Sequence, residues 1–96
     1  MSSSDRLAGR CALVTGAAMR LGRSTALALA GAGADVAVHY RRSAAEADSA
    51  AAEIRRMGRS AWCVSADLAD AEQAAGLLPR AAELAGRPID ILVNSA

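Results

Sequence analysis

The sequence predicts a parallel α/β sheet, doubly wound, with helices on both faces, and two observations predict it. Four short apolar runs alternate with three stretches of helical pattern, giving the order β-α-β-α-β-α-β. The first run ends in a glycine turn that opens directly into a helix, at Val14-Thr15-Gly16-Ala17-Ala18-Met19-Arg20-Leu21-Gly22. Right-handed crossovers and a glycine-rich first turn favour strand order 3-2-1-4, with a ligand at the switch point between strands one and four.

The first strand is expected at Cys11–Thr15, and the first helix at Arg20–Ala32, where Arg23-Ser24-Thr25-Ala26-Leu27-Ala28-Leu29-Ala30 is rich in strong helix formers. Gly33 stands where a helix-ending glycine belongs. Strand two reads Asp35-Val36-Ala37-Val38-His39-Tyr40. Ser43 and Glu46 are spaced as a capping box for the second helix. That helix places Ala47, Ala50, Ala51, Ile54 and Met57 on one face, and Gly58 ends it. Strand three is Ser60–Ser65. A third helical region runs from Asp70, a good N-cap, to Gly86, with Pro79 expected to kink it or to begin a second segment. Strand four is Ile89–Asn94.

The chain has 96 residues, enough for one modest domain, with no repeat, low-complexity stretch or linker. The net charge of +1 suggests neither a nucleic-acid nor a membrane partner. All the basic residues are arginine. No apolar run approaches a membrane span, and the polar residues Met1–Asp5 are no secretory signal. Cys11 and Cys63 each sit in an apolar run and read as buried core thiols, not as a disulfide or metal site. The expected location is the cytoplasm.

The glycine turn carries the first chemical signal. Gly16 can adopt the positive φ of a tight turn, and Gly22 allows close approach of the helix to the strand and to a ligand. The first helical turn presents unpaired N–H groups and the positive end of its dipole to a phosphate. Alone, this pattern is equally an ordinary strand–helix connection. The end of strand two adds the second signal. An acidic residue there would accept hydrogen bonds from an adenosine ribose and select NAD. The sequence instead reads His39-Tyr40-Arg41-Arg42-Ser43, two guanidiniums at a helix start, which suit the extra 2′-phosphate of NADP. The bland alternative is a solvated loop. A phosphate-transfer P-loop is excluded, because the turn lacks the Lys-Ser/Thr that would meet β- and γ-phosphates.

These residues resemble the short-chain dehydrogenase/reductases. Thr15-Gly16-x-x-x-Arg20-Leu21-Gly22 is similar to the family's Thr-Gly-x-x-x-Gly-x-Gly, with Arg20 in place of the middle glycine. Ala66-Asp67-Leu68 matches the acidic residue after strand three that bonds the adenine amino group in the family. Asn94-Ser95-Ala96 matches the start of the Asn-Asn-Ala-Gly motif. Arg20 and the run from His39 to Ala47 resemble the pteridine reductase-like branch. There Arg20 would lie between the cofactor pyrophosphate and a pterin, while Arg42 and Ser43 would hold the 2′-phosphate.

The resemblance therefore implies an incomplete Rossmann-type domain over residues 1–96, the amino-terminal part of a longer reductase whose later strands are absent. Its implied NADP-binding residues are Gly16, Arg20, Leu21, Gly22, His39, Tyr40, Arg41, Arg42, Ser43, Asp67, Leu68, Asn94, Ser95 and Ala96. Two positions depart from the pattern: Met19 stands where relatives often carry a lysine, and Ser95 replaces the second asparagine. Asn94 has an equal alternative, a buried amide tying strand four to a neighbour.

The implied reaction is hydride transfer from NADPH to a C=O or C=N bond of a small molecule, a pterin by resemblance to that branch, in a full-length homo-oligomer. The family's catalysis needs a Tyr-x-x-x-Lys pair and a serine. This chain has no lysine, and its one tyrosine, Tyr40, belongs to the adenosine end, so the chain alone is expected to be inactive. The alternative is a short nucleotide-binding or regulatory module completed by a partner chain. In either case strand four would form an apolar sheet edge, with Ile89, Ile91 and Val93 needing cover.

Overall fold

A computed structural model describes residues 6–95. Its elements are β1 (Cys11–Thr15), α1 (Arg20–Gly31), β2 (Asp35–Tyr40), α2 (Ala44–Arg56), β3 (Ala61–Ser65), α3 (Ala71–Ala85) and β4 (Ile91–Asn94). The four strands form one parallel sheet in the order β3-β2-β1-β4, as expected. None of the described helices is long and apolar enough to cross a membrane.

Each face of the sheet has its own core. On one face Val14, Val36 and Val38 pack against Ala26 and Ala30 of α1 and Ala47, Ala50, Ala51 and Ile54 of α2. On the other, Leu13, Ala37 and Val64 meet Leu77 and Ala81 of α3. Alanine dominates the helix sides, so the helices can lie close to the strands at a modest gain in apolar burial. Central β1 is buried along its whole length, as a strand covered on both faces must be.

The helix ends follow local chemistry. After α1, Gly33 has φ 110, its N–H donates to the Ala30 carbonyl, and the Ala34 N–H donates to that of Leu29. This double closure uses the left-handed glycine anticipated there. Asp70 caps α3 by accepting from the N–H groups of Glu72 and Gln73 at 2.9 and 3.2 Å. These bonds to the charged form hold its carboxyl below the usual aspartate range, Gln73 contributing most.

Several expectations are corrected. Ser43 is the N-cap residue of α2, but its side chain makes no capping bond; its ψ of 63° lies outside the extended region that a capping serine uses. Met57 is 42% exposed, not core, because α2 ends at Arg56 and Met57 turns away with the cap. Helix α3 runs unbroken through Pro79. Both Pro79 and Ala75, whose carbonyl loses its partner to the proline, lie on the exposed side where water can serve. Cys63 is half-buried, with its thiol on the Asp48 carboxylate at 3.6 Å, whereas Cys11 is fully buried. Burial raises the pKa of both thiols.

Strand β3 starts at Ala61, one residue late, and β4 starts at Ile91. Ile89 and Asp90 form a lead-in, in which the Asp90 carboxylate accepts from the Cys11 N–H at 2.9 Å. Ile89 packs on the second core and Val93 on the first. The side chain most in need of cover on this edge is therefore Leu92, which is 54% exposed.

Candidate cofactor-binding site

The carboxyl ends of the strands meet along one rim. Register sets Thr15 beside Asn94 and Tyr40 beside Ser65, so the loops after all four strands lie along this rim, and the switch point falls between β1 and β4. A cavity of about 460 Å³ opens there. The β1–α1 turn and the start of α1 supply Gly16 and Ala18 to Gly22, the end of β2 and the loop after it supply Tyr40 to Ser43, and Ser95 enters just after β4.

The turn is built by two glycines and a strained arginine. Gly16 has φ 63. Gly22 is buried against it, and a Cβ at position 22 would overlap the Gly16 carbonyl. Arg20 has φ 58 and is the one non-glycine residue with positive φ among the described residues. It occupies the place where the family pattern has glycine, so the backbone keeps the glycine conformation and the side chain bears the strain.

Donors are left open where an anion would sit. Neither Met19, the N-cap of α1, nor Ser43, the N-cap of α2, makes a side-chain capping bond. Helix α3, whose start lies away from this cavity, is capped by Asp70. The first turn of α1 carries no acid, so the dipole there remains available to an external negative charge.

The two arginines after β2 differ. Arg41 reaches the Asp67 carboxylate at 3.4 Å, an ion pair whose side chains are 57% and 34% exposed. Such a pair is weak and opens at little cost. Arg42 has no such partner among the described residues. Arg41, Asp67, Leu68 and His39 line a neighbouring slot of about 200 Å³, and Arg41 belongs to both spaces.

His39 sits differently from a ligand-facing residue. It is buried, with Nδ1 accepting from the Gly16 N–H and Nε2 on the Ala66 carbonyl, both at 2.9 Å. Because Nδ1 accepts, Nε2 carries the proton and donates to Ala66. Both ring nitrogens are thus engaged with backbone, and His39 clamps the β1 turn to the loop after β3. Sequence reasoning placed the residue at this rim but missed the clamp, for which the linear sequence carries no signal.

Asn94 faces another way. It lines an apolar groove of about 300 Å³ with Leu13, Leu77 and Leu92 on the α3 side of the sheet. Its Oδ1 accepts from the Thr15 hydroxyl at 3.0 Å, which fits the strand-tying alternative, although the residue is exposed, not buried. The same Thr15 oxygen accepts from the Ser95 N–H at 2.8 Å. Leu21 is 75% exposed at the cavity mouth. Ala96 lies outside the described residues. Ala18 and Met19 line the cavity without having been singled out as site residues. Among the described residues no group of acidic, histidine or cysteine side chains is arranged to hold a metal.

A dinucleotide fits what these residues offer: a glycine cradle that a Cβ would fill, uncapped helix starts, two cations at the end of β2 and a buried unpartnered hydroxyl on Ser95. Comparison with known proteins agrees. Residues 10–96 match the short chain dehydrogenase family model. The chain is 40% identical over 90 residues to an L-rhamnose 1-dehydrogenase (NAD(P)(+)) of a Sphingomonas species, aligning 94% of this chain with 35% of that protein. It is 42% identical over 90 residues to a 3-oxoacyl-[acyl-carrier-protein] reductase of Synechocystis, aligning 94% with 36%.

A crystal structure of a short chain dehydrogenase from Burkholderia cenocepacia in complex with NADP superposes with a TM-score of 0.89 at 44% identity, over 95% of this chain and 37% of that one. The chain thus spans about a third of the length of the relatives it matches. The pteridine reductase-like assignment is not confirmed: these relatives are named for a sugar and an acyl carbonyl.

Proposed function

Because this chain belongs to the short chain dehydrogenase family, we propose that it is the NADP(H)-binding part of an oxidoreductase that reduces a C=O group of a small molecule. The observation that carries the NADP reading is the charge at the end of β2. Arg41 and Arg42 stand there with no acid between Tyr40 and Ser43, beside the uncapped start of α2.

Each residue has a part in this reading. Arg42 and the Ser43 hydroxyl hold the 2′-phosphate through charge-assisted bonds. Arg41 lets go of Asp67 and moves toward the same phosphate. Asp67 and Leu68 form the edge and floor of the base slot, and Tyr40 borders the adenosine side. Gly16, Arg20, Leu21 and Gly22 shape the turn over the diphosphate, and His39 keeps that turn in place. Bound NADPH supplies a hydride, and the residues here bind and orient it.

The proton chemistry belongs to residues outside this chain, which contains no lysine and whose one tyrosine lies at the adenosine end. The C=O reading is preferred to a pterin C=N because the relatives' names point to carbonyl chemistry. The pterin reading rests on Arg20 and the His39–Ala47 run alone. The whole protein acts as a cytoplasmic homo-oligomer in this proposal.

The test is a substrate screen with a polypeptide that continues this chain to the length of its relatives, following NADPH consumption with sugars, 3-oxoacyl thioesters and dihydropterins. Turnover with a carbonyl compound supports the proposal. Turnover with dihydropterin alone would replace the substrate class, and a full-length protein that never oxidises NADPH would refute it.

A further inference from the structure

We propose that Gln73 is the positioning residue of the base slot: its side-chain carbonyl holds the Asp67 backbone, and this sets the slot's preference for an amino-bearing purine. The inference rests on the base-slot reading above. Gln73 acts through Asp67 and does not itself line the slot.

The sheet's hold on this segment ends just before the slot. The Ala66 N–H donates to the Tyr40 carbonyl at 3.1 Å, and the Ala66 carbonyl meets His39 Nε2 at 2.9 Å. The next N–H, that of Asp67, is taken by Gln73 Oε1 at 2.8 Å, from the first turn of α3. The amide is held at its other end, where Nε2 donates to Asp70 Oδ2 at 3.3 Å. Its orientation is therefore settled, because an N–H only donates and a carboxylate only accepts. A glutamine at this helix position ordinarily reaches back to the N–H of the capping residue. Here the Asp70 N–H donates to the Asp67 carbonyl at 3.0 Å instead, and the glutamine oxygen goes to Asp67.

The Asp67 carboxylate is tied to this backbone. Its Oδ1 accepts from the Ala69 N–H at 3.0 Å, while Oδ2 meets the exposed Arg41 guanidinium at 3.4 Å. The first bond keeps the carboxylate on its loop; the second is a weak pair that opens at little cost. Oδ2 is thus the oxygen that a base can claim. It suits the exocyclic amino group of adenine, a donor, and opposes the carbonyl oxygen that hypoxanthine carries at the same place. Two facing acceptors leave both unpaired, which is how such a site discriminates. The aim of Oδ2 follows the position of the Asp67 main chain. Without the Gln73 oxygen, the Asp67 N–H turns to water and the residue keeps only the backbone bond at its carbonyl.

The experiment titrates full-length wild type, Q73L and Q73E with NADPH and with its analogue in which hypoxanthine replaces adenine. Gln73 is exposed, so both variants keep the fold, and the ratio of the two affinities cancels any loss of folded protein. Q73L removes the acceptor; Q73E keeps it while losing the donor to Asp70. Wild type should prefer NADPH by about tenfold or more. The preference should fall to about twofold in Q73L and survive in Q73E. A Q73L protein that keeps the wild-type preference overturns the proposal. So does a Q73E protein that loses as much as Q73L, since the acceptor would then not be what matters. Wild type that binds both coenzymes equally overturns the base-slot reading, and wild type that binds neither overturns the dinucleotide reading, each taking the Gln73 role with it.

Discussion

Gly22 and Gly16 stand in backbone contact across the β1–α1 turn: a side-chain carbon at position 22 would lie 2.7 Å from the Gly16 carbonyl carbon. That neighbour is main chain and cannot rotate away. Substituting G22A therefore forces α1 off the strand, at about 1–3 kcal/mol as for other overpacked sites. Urea unfolding should show the loss of stability, and NADPH binding should weaken with it. A variant as stable as wild type would show that the turn is looser than described.

Arg20 presents the opposite case. Its φ of 58 suits glycine, so R20G relieves backbone strain while increasing the freedom of the unfolded chain. The balance favours R20G by about 0.5–1 kcal/mol. Denaturant unfolding measures this directly, and a destabilised R20G would mean that the guanidinium makes contacts worth more than the strain.

The bridging ring of His39 gives a third expectation. Substituting H39A leaves the Gly16 N–H and the Ala66 carbonyl without their partner and opens a hole beneath the turn. The expected cost is about 2–4 kcal/mol, with weakened binding of NADPH and NADH alike. A selective effect on NADPH would instead mean that the ring meets the 2′-phosphate.

Arg41 and Arg42 should separate in a phosphate-selectivity experiment. Arg41 already has the Asp67 carboxylate at 3.4 Å, so part of its attraction for a phosphate is offset. R42A should weaken NADPH by about 2 kcal/mol, R41A by less, and neither should change NADH. Equal losses for the two cofactors would contradict phosphate selection.

Much of this was legible in the sequence because it is local. Gly33 and Gly58 end helices by their own backbone freedom, and Asp70 caps α3 through N–H groups two and three residues away. The glycine turn and the arginines after β2 are likewise contiguous stretches. What escaped depends on register between distant strands. The His39 ring meets Gly16 and Ala66, Arg41 meets Asp67, and Thr15 meets Asn94 and Ser95 only once the sheet has formed. The Ser43–Glu46 spacing was misleading for a related reason: the cap depends on a backbone angle that the flanking arginine loop decides.

The Asp70 cap predicts a pH dependence. Its pKa is lowered in the folded chain by the bonds from Gln73 and Glu72. Its contribution is present above the ordinary aspartate pKa and is lost as pH falls through the lowered value. The melting temperature of wild type should exceed that of D70A at neutral pH, and the gap should close on acidification. A gap that is constant with pH would mean that the carboxylate's charge plays no part.

The most direct measurement is calorimetric titration of this protein with NADPH and with NADH under identical low-salt conditions. Tighter binding of NADPH, with the preference shrinking as salt is raised, is the predicted result. Equal or tighter binding of NADH would contradict the assignment of Arg41, Arg42 and Ser43 to a 2′-phosphate.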